Sequence, residues 1–282
     1  MRGLELMSEA RGSGVDWSAV SAGWDKNRDR LEALKANLSD QMLAGVALQA
    51  GDSVLELGAG TGEFARRLAA AVGPSGRVVA SDVAPGMVEL ISAATADLDN
   101  VETATIDGAA TGAPGASYDA IVFRMGLMFI TKPGAALRDY HRILKPGGRL
   151  AAATWAGMEH NPWLTTVGMA AMIHGLVAGG LPVEPGGPLS LGDTDQLRGL
   201  AIDAGFAQVD VAEIEVVMEF ADVDDYLGHV TTLAPPFAAT FPSATGDQLA
   251  AVKATVTEAT QQYRSGTGIV MPGRALLLTA TR

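Results

Sequence analysis

The run Leu55-Glu56-Leu57-Gly58-Ala59-Gly60-Thr61-Gly62-Glu63-Phe64 sets three glycines between a short apolar stretch and a helical pattern. Glycine there lets the backbone turn tightly and lets a ligand approach the main chain. The helix that follows presents unpaired N–H groups, which suit an anion. A tight strand-to-helix turn also needs glycine for steric reasons alone, so the loop takes its meaning from its neighbours. Asp82 stands twenty residues after Gly62, at the end of the next apolar run. A carboxylate in that place can accept hydrogen bonds from both hydroxyls of a ribose. The alternative for Asp82 is a helix cap or turn before Pro85, and for Asp107-Gly108, after the third apolar run, a plain Asp-Gly turn.

Other chemistries find less support. The 282 residues include no cysteine, which removes disulfides, thiolate metal sites and a cysteine nucleophile. The four histidines, His141, His160, His174 and His229, lack the tight spacing of a metal site, and no metal is expected. Where a general base is required, His160, just beyond the fifth strand, is the favoured residue, with His174 and His229 ranking below it. The balance of 32 acidic against 20 basic side chains, a net charge of −12, argues against nucleic acid as a partner. The first dozen residues lack the apolar core of an export signal, so a cytoplasmic location is expected.

The elements that must hold these residues follow from the patterning. Ser53–Leu57, Arg77–Ser81, Val101–Ile106, Tyr118–Phe123 and Arg149–Thr154 read as strands, separated by helical patterns over Phe64–Val72, Met87–Asp97 and Ala135–Leu144. Lys145-Pro146-Gly147-Gly148 reads as a turn. Strands alternating with helices imply a mostly parallel sheet covered on both faces. Upstream, residues 16–45 read as one or two helices. Downstream, Gln208–Phe220 reads as a strand with a slip in its alternation, Gln248–Tyr263 as a helix and Ala275–Thr281 as a buried strand.

The spacing Glu56-x-Gly58-x-Gly60-x-Gly62 departs from the dinucleotide fingerprint, because position 63 is Glu where that pattern has its third glycine. It resembles instead the acidic glycine loop of class I S-adenosylmethionine-dependent methyltransferases. Tyr118–Phe123 and Leu144–Leu150 resemble that family's fourth strand and the turn before its fifth. The likeness covers Ser53 to Trp155 in order and spacing. Phe123-Arg-Met-Gly-Leu-Met-Phe129, Trp155 and the closing Gly273–Leu278 resemble the branch of ubiquinone and menaquinone C-methyltransferases and related small-molecule enzymes. His141 is a departure, since arginine is common there in this branch.

The resemblance implies a Rossmann-like α/β fold: a seven-stranded, mostly parallel sheet with its last strand antiparallel. N-terminal helices and a helical lid inserted after the fifth strand complete it. It implies S-adenosylmethionine as cofactor, with S-adenosylhomocysteine as product. The cofactor contacts it implies in the loop are Glu56, Gly58, Ala59, Gly60 and Gly62. Asp82, Val83 and Met87 are expected at the ribose side, Asp107 and Gly108 at the adenine, and Arg124 and Met125 after the fourth strand. Trp24, Met128, Trp155, Trp163 and His174 are expected at the substrate pocket. The layout expected is a flexible tail over 1–14 and one domain over 15–282. Within it lie a helical cap (15–50), a cofactor core (53–155) and substrate-side lid segments (156–206 and 221–268).

His160–Gly192 and Val230–Gly246 hold one formal charge between them, Glu184. Such stretches line apolar pockets, and they serve equally in a homodimer interface or as further core. The expected activity is methyl transfer to oxygen or carbon of a hydrophobic small molecule, such as a quinol, polyketide, terpenoid or lipid. The alternatives are a non-methylating reaction on the same fold, such as a cyclisation, and a nicotinamide oxidoreductase.

Overall fold

Apolar residues at successive positions of each central strand point to opposite faces, so a strand buried on both sides reads as a continuous apolar run. That is the pattern of β1 (Ser53–Leu57), β2 (Arg77–Asp82), β4 (Tyr118–Arg124) and the second half of β5 (Leu144–Trp155), whereas β3 (Val101–Thr105), at the sheet edge, is mostly exposed. The structure is a computed structural model that describes residues 16–177 and 182–282; the tail expected at 1–14 lies outside the described residues. Three strands follow in the chain, β6 (Ala207–Glu215), β7 (Met218–Phe220) and β8 (Arg264–Ser265), and β9 (Gly268–Met271) and β10 (Arg274–Thr281) complete the set.

The seven-stranded sheet has the order β3-β2-β1-β4-β5-β10-β6. β1 to β5 are parallel, and β10 runs antiparallel between β5 and β6. The Rossmann-like fold with an antiparallel last strand is therefore present. Val54, Ala120 and Val122 face one apolar cluster, with Phe64, Leu68 and Ile91 from the helices Glu63–Val72 and Pro85–Ala94. Leu55, Ile121 and Phe123 face the other, with Leu137, Tyr140 and Leu197 from the helices Pro133–Ile143 and Thr194–Asp203. The helix Thr194–Asp203, expected among the substrate-side segments, thus covers the sheet. Strand order reverses around β1, whose neighbours are β2 and β4, and ligands of such sheets bind beyond the carboxyl ends at that point.

Three local expectations change. The turn at 145–148 is a bulge inside β5: Tyr118 pairs with Leu144, and the register then shifts so that Ala120 pairs with Arg149. The strand expected over Gln208–Phe220 carries its slip inside β6, where burial passes from Val211 to Ile214 on the other face, and it breaks after Glu215. Val216, Met218 and Phe220 take up burial on a new face, and β7 joins a second sheet of order β7-β9-β8. The N-terminal region is a 3-10 turn, Trp17–Val20, and three short helices, Ser21–Lys26, Arg28–Leu34 and Ala36–Val46. Among the described residues no helix is long and apolar enough to cross a membrane.

Candidate functional site

The glycine loop leaves β1 at the reversal of strand order. Gly58 has φ +59°, and a Cβ there would stand 2.8 Å from the Phe123 ring. Gly62 has φ +85°, and its Cβ would stand 3.0 Å from Ile91 Cα, on backbone that cannot yield. Both the conformation and the space therefore demand glycine. Asp82, at the end of β2, accepts the Gly60 N–H at 3.2 Å and the Ala84 N–H at 3.0 Å. Each carboxylate oxygen keeps a second lone-pair direction. Burial raises the Asp82 pKa, and the backbone N–H groups of Ala84 and Gly60 oppose the rise. Ser81 Oγ donates to Glu56 O at 2.7 Å, and Ala59 N–H to Ser81 O at 2.9 Å, so β1, the loop and β2 brace one another.

Behind the loop lies a buried charge cluster. Arg124 is 8% exposed and grips Glu32 with both terminal nitrogens, at 2.8 and 2.6 Å, and Ser39 Oγ at 2.8 Å. Its guanidinium stacks over Phe64 at 4.8 Å. Lys35 lies 3.4 Å from Glu32, and burial together with Arg124 pushes its pKa down to about 8. Burial works against ionisation of Glu32, yet the hydrogen bonds from Arg124 and Lys35 prevail and lower its pKa. Glu56 is the exception. It is 1% exposed, its Oε2 has no hydrogen-bond partner among the described residues, and burial pushes its pKa up to about 8 despite Arg124. A buried carboxylate oxygen without a donor is costly, and a ligand ammonium would relieve it.

The remaining expected cofactor residues fall along the same edge. Val83 follows Asp82 and is 46% exposed, an apolar side chain uncovered beside a carboxylate. Met87 is buried with Val20 and Ala84, so it supports this corner from beneath. Asp107 accepts the Ala109 N–H at 2.8 Å, and Gly108 O accepts the Tyr140 hydroxyl at 2.6 Å. Met125 has φ +64°, unfavourable for any side chain, while its N–H is held by Ala153 O at 3.0 Å. Strain of this kind collects at functional sites and costs about 1–3 kcal/mol. The glycines, Ala59, Glu56, Asp82, Val83, Asp107, Gly108 and Met125 thus share the carboxyl edge. Arg124 turns away from it to hold the N-terminal helices.

The expected substrate-side residues do not form one group. Trp24 covers the loop, its ring 3.9 Å from where a Gly60 Cβ would stand, and donates Nε1–H to Leu233 O at 3.0 Å. Trp155 and Trp163 pack edge to face at 5.1 Å at the end of β5. Met128 is 1% exposed within the second apolar cluster. His174 pairs with Thr255 Oγ1 at 2.8 Å, away from these aromatics. His160 has a 36% exposed side chain 3.4 Å from Glu159.

Several residues escaped the sequence reading. Glu32 and Lys35 carry only the helical i,i+3 spacing of an ordinary surface pair, and nothing local announces Arg124 as their partner. Asn161, fully buried, bonds Ala156 O at 2.9 Å, Arg274 O at 3.0 Å and the Arg274 N–H at 3.0 Å, stapling the end of β5 to β10. His229, ranked below His160 from the sequence, is buried at 5% exposure on the helix Val223–Leu233. Among the described residues no group of three or more acids and histidines could hold a metal.

Residues 54–148 match the family model described as a methyltransferase domain. The ubiquinone/menaquinone biosynthesis C-methyltransferase UbiE of Hahella chejuensis is 36% identical over 106 residues, covering 36% of this chain and 43% of that protein. UbiE of Pseudoalteromonas translucida is 32% identical over 123 residues, covering 43% of this chain and 49% of the relative. The chain thus spans less than half the length of these two relatives. Among solved structures, the YcgJ protein of Bacillus subtilis superposes with a TM-score of 0.60 at 17% identity, covering 86% of this chain and 97% of that one. The [4+2]-cyclase SpnF superposes with a TM-score of 0.57 at 20% identity, over 95% of this chain and 96% of its own. These structural likenesses establish the fold.

Proposed function

Given the match of residues 54–148 to the methyltransferase-domain model, we propose that the whole chain is a class I S-adenosylmethionine-dependent methyltransferase that transfers a methyl group to an oxygen or carbon of a hydrophobic small molecule. The observation that carries this reading is the partnerless Glu56 carboxylate oxygen beside a loop whose glycines admit no side chain. A ligand with an ammonium next to a ribose fits that pair of features, with Asp82 on the hydroxyls, and so does S-adenosylmethionine. When bound, that cofactor supplies a methyl group on a sulfonium, an activated electrophile.

The chain's own part is alignment. Glu56 would hold the ammonium, and the loop N–H groups and Asp82 the ribose. Val83 and Asp107-Gly108 would flank the adenine, and Met125 would border the reacting end. Trp24 would close the loop from above. Holding two reactants in attack geometry supplies much of a barrier reduction, on the order of 7–11 kcal/mol at best. The acceptor would lie between this edge and the segments 156–206 and 221–268, within which the nearly uncharged His160–Gly192 and Val230–Gly246 support an apolar partner such as a quinol, polyketide, terpenoid or lipid. A non-methylating reaction, such as a cyclisation, is the second reading. It is favoured by the SpnF likeness over 95% of the chain. A nicotinamide oxidoreductase is disfavoured by Glu63, which replaces the third glycine of that fingerprint.

Calorimetric titration with S-adenosylmethionine, S-adenosylhomocysteine and NAD tests the assignment. The expected result is binding of the first two and none of the third; NAD binding alone would overturn it. Incubation with hydrophobic phenols and quinols, followed by mass analysis, separates methyl transfer from cyclisation. A methyl gain with release of S-adenosylhomocysteine supports the first, and an isomeric product without either supports the second.

A further inference from the structure

The four histidines differ in what their environments leave free. His160 is half-exposed beside Glu159, His174 is bonded to Thr255, and the His141 ring packs edge-on against Phe206 at 5.2 Å. His229 is 5% exposed, and its Nδ1 has no hydrogen-bond partner among the described residues. Its nearest acid is already committed. Asp225, one turn earlier, is gripped by Arg30 at 2.7 and 3.1 Å and accepts the Ala221 N–H at 2.9 Å. Burial and Arg30, outweighing Asp225, push the imidazole pKa down to about 4, so the ring is neutral at physiological pH. A neutral imidazole has one nitrogen that donates and one that accepts.

The position of this ring is fixed from two directions. One turn further along the same helix, Leu233 O accepts the indole N–H of Trp24, the residue that covers Gly60. On the other side the imidazole meets Trp163 at 6.4 Å and Phe220 at 5.5 Å, both edge to face. Trp163 in turn packs on Trp155 at the end of β5. His229 therefore sits on the inner face of the cover, between the lid of the glycine loop and the aromatic wall at the carboxyl end of the sheet. A phenylalanine or leucine would fill such an apolar surround without the cost of an unsatisfied nitrogen.

We propose that His229 is the polar anchor of the acceptor pocket, accepting at a ring nitrogen the hydrogen bond of a hydroxyl on a flat aromatic acceptor packed against Trp163 and Phe220. The inference rests on the proposed function and narrows its substrate class to hydroxylated aromatic molecules. The nitrogen is buried, so the acceptor reaches it when the helix Val223–Leu233 shifts together with the N-terminal helices, to which Arg30 and Trp24 tie it.

The test uses the full chain saturated with S-adenosylhomocysteine, with 2-naphthol as hydroxylated probe and naphthalene as its hydroxyl-free counterpart. Nitrogen NMR of labelled histidine should show the His229 ring signals moving with 2-naphthol and staying fixed with naphthalene. His229→Phe should weaken 2-naphthol at least tenfold while leaving naphthalene and S-adenosylhomocysteine unchanged. His229→Asn, which keeps a polar group near the Nδ1 position, should hold 2-naphthol within threefold of the wild type. Equal affinity for the two probes, an unshifted His229 signal, a His229→Phe variant that binds 2-naphthol normally, or no 2-naphthol binding at all would each overturn the inference. In all those cases S-adenosylhomocysteine binding leaves the proposed function standing, whereas its absence removes both.

Discussion

The cofactor edge and the cover above it hold their polar groups in opposite ways. At the edge, Asp82, Ser81 and the glycine loop are locked by backbone hydrogen bonds, and Arg124 clamps Glu32 and Ser39 out of solvent. In the cover, the ties to the N-terminal helices include the half-exposed Arg30, which pairs with Asp225, donates to Glu219 O and lies over the Phe220 ring, and one indole hydrogen bond from Trp24. The first arrangement suits a ligand whose shape is constant. The second suits an element that must admit an acceptor and release a product. The N-terminal helices belong to both, bound firmly to the sheet by Glu32 and lightly to the cover by Arg30.

Substitutions can break that contrast. Arg124→Ala leaves the partly buried Glu32 with only Lys35 as partner, and chemical denaturation should show a loss of about 3 kcal/mol. A loss below about 1 kcal/mol, the size of an exposed pair, would mean the clamp is no stronger than the cover's ties.

Acid should act on the cover through His229. Between the ordinary histidine pKa of about 6.5 and the native value of about 4, the unfolded chain takes up a proton that the native imidazole refuses. The stability difference between the wild-type chain and His229→Phe should therefore shift against the wild type by about 3 kcal/mol as pH drops from about 6.5 toward 4, whereas Glu56, whose pKa is raised to about 8, contributes the opposite slope equally in both proteins. Identical pH profiles in the two proteins would contradict this.

Gly62→Ala forces a left-handed backbone on alanine and drives its Cβ to 3.0 Å from Ile91 Cα. Denaturation should register about 2 kcal/mol, with S-adenosylhomocysteine affinity falling as well. Arg30→Ala, which removes the N-terminal helices' charged tie to the cover, should cost only about 0.5 kcal/mol. Its larger signature should be faster amide exchange in Val223–Leu233, and unchanged exchange there would refute a light tie.

The same contrast governs what the sequence could reveal. The glycine loop, Asp82 and the β1 to β5 pattern are local: turn geometry and side-chain alternation are written in neighbouring residues. The apolar run of the closing strand is local too, while its antiparallel direction is what the family resemblance implies. The Arg124–Glu32 clamp joins residues 92 positions apart, and no spacing announces it. Arg124 is expected at the cofactor because it follows the fourth strand, with pairing to an acid at the sheet edge as the alternative, and the acid it finds is Glu32. His160 is favoured as a base because it directly follows β5, and the structure places it half-exposed beside Glu159. His229 gains its character only when β7, the helix Val223–Leu233 and Trp163 come together, and the second sheet that brings Phe220 there was hidden inside an apparent single strand.

The central claim is that the ligand edge lies where β1 and β2 end, with Asp82 on the ribose. Calorimetric titration of Asp82→Ala with S-adenosylmethionine tests it most directly. Loss of hydrogen bonds to a charged acceptor should weaken binding by more than about tenfold while the unfolding midpoint shows a folded protein. An affinity equal to that of the wild-type chain would contradict the claim and move the site elsewhere.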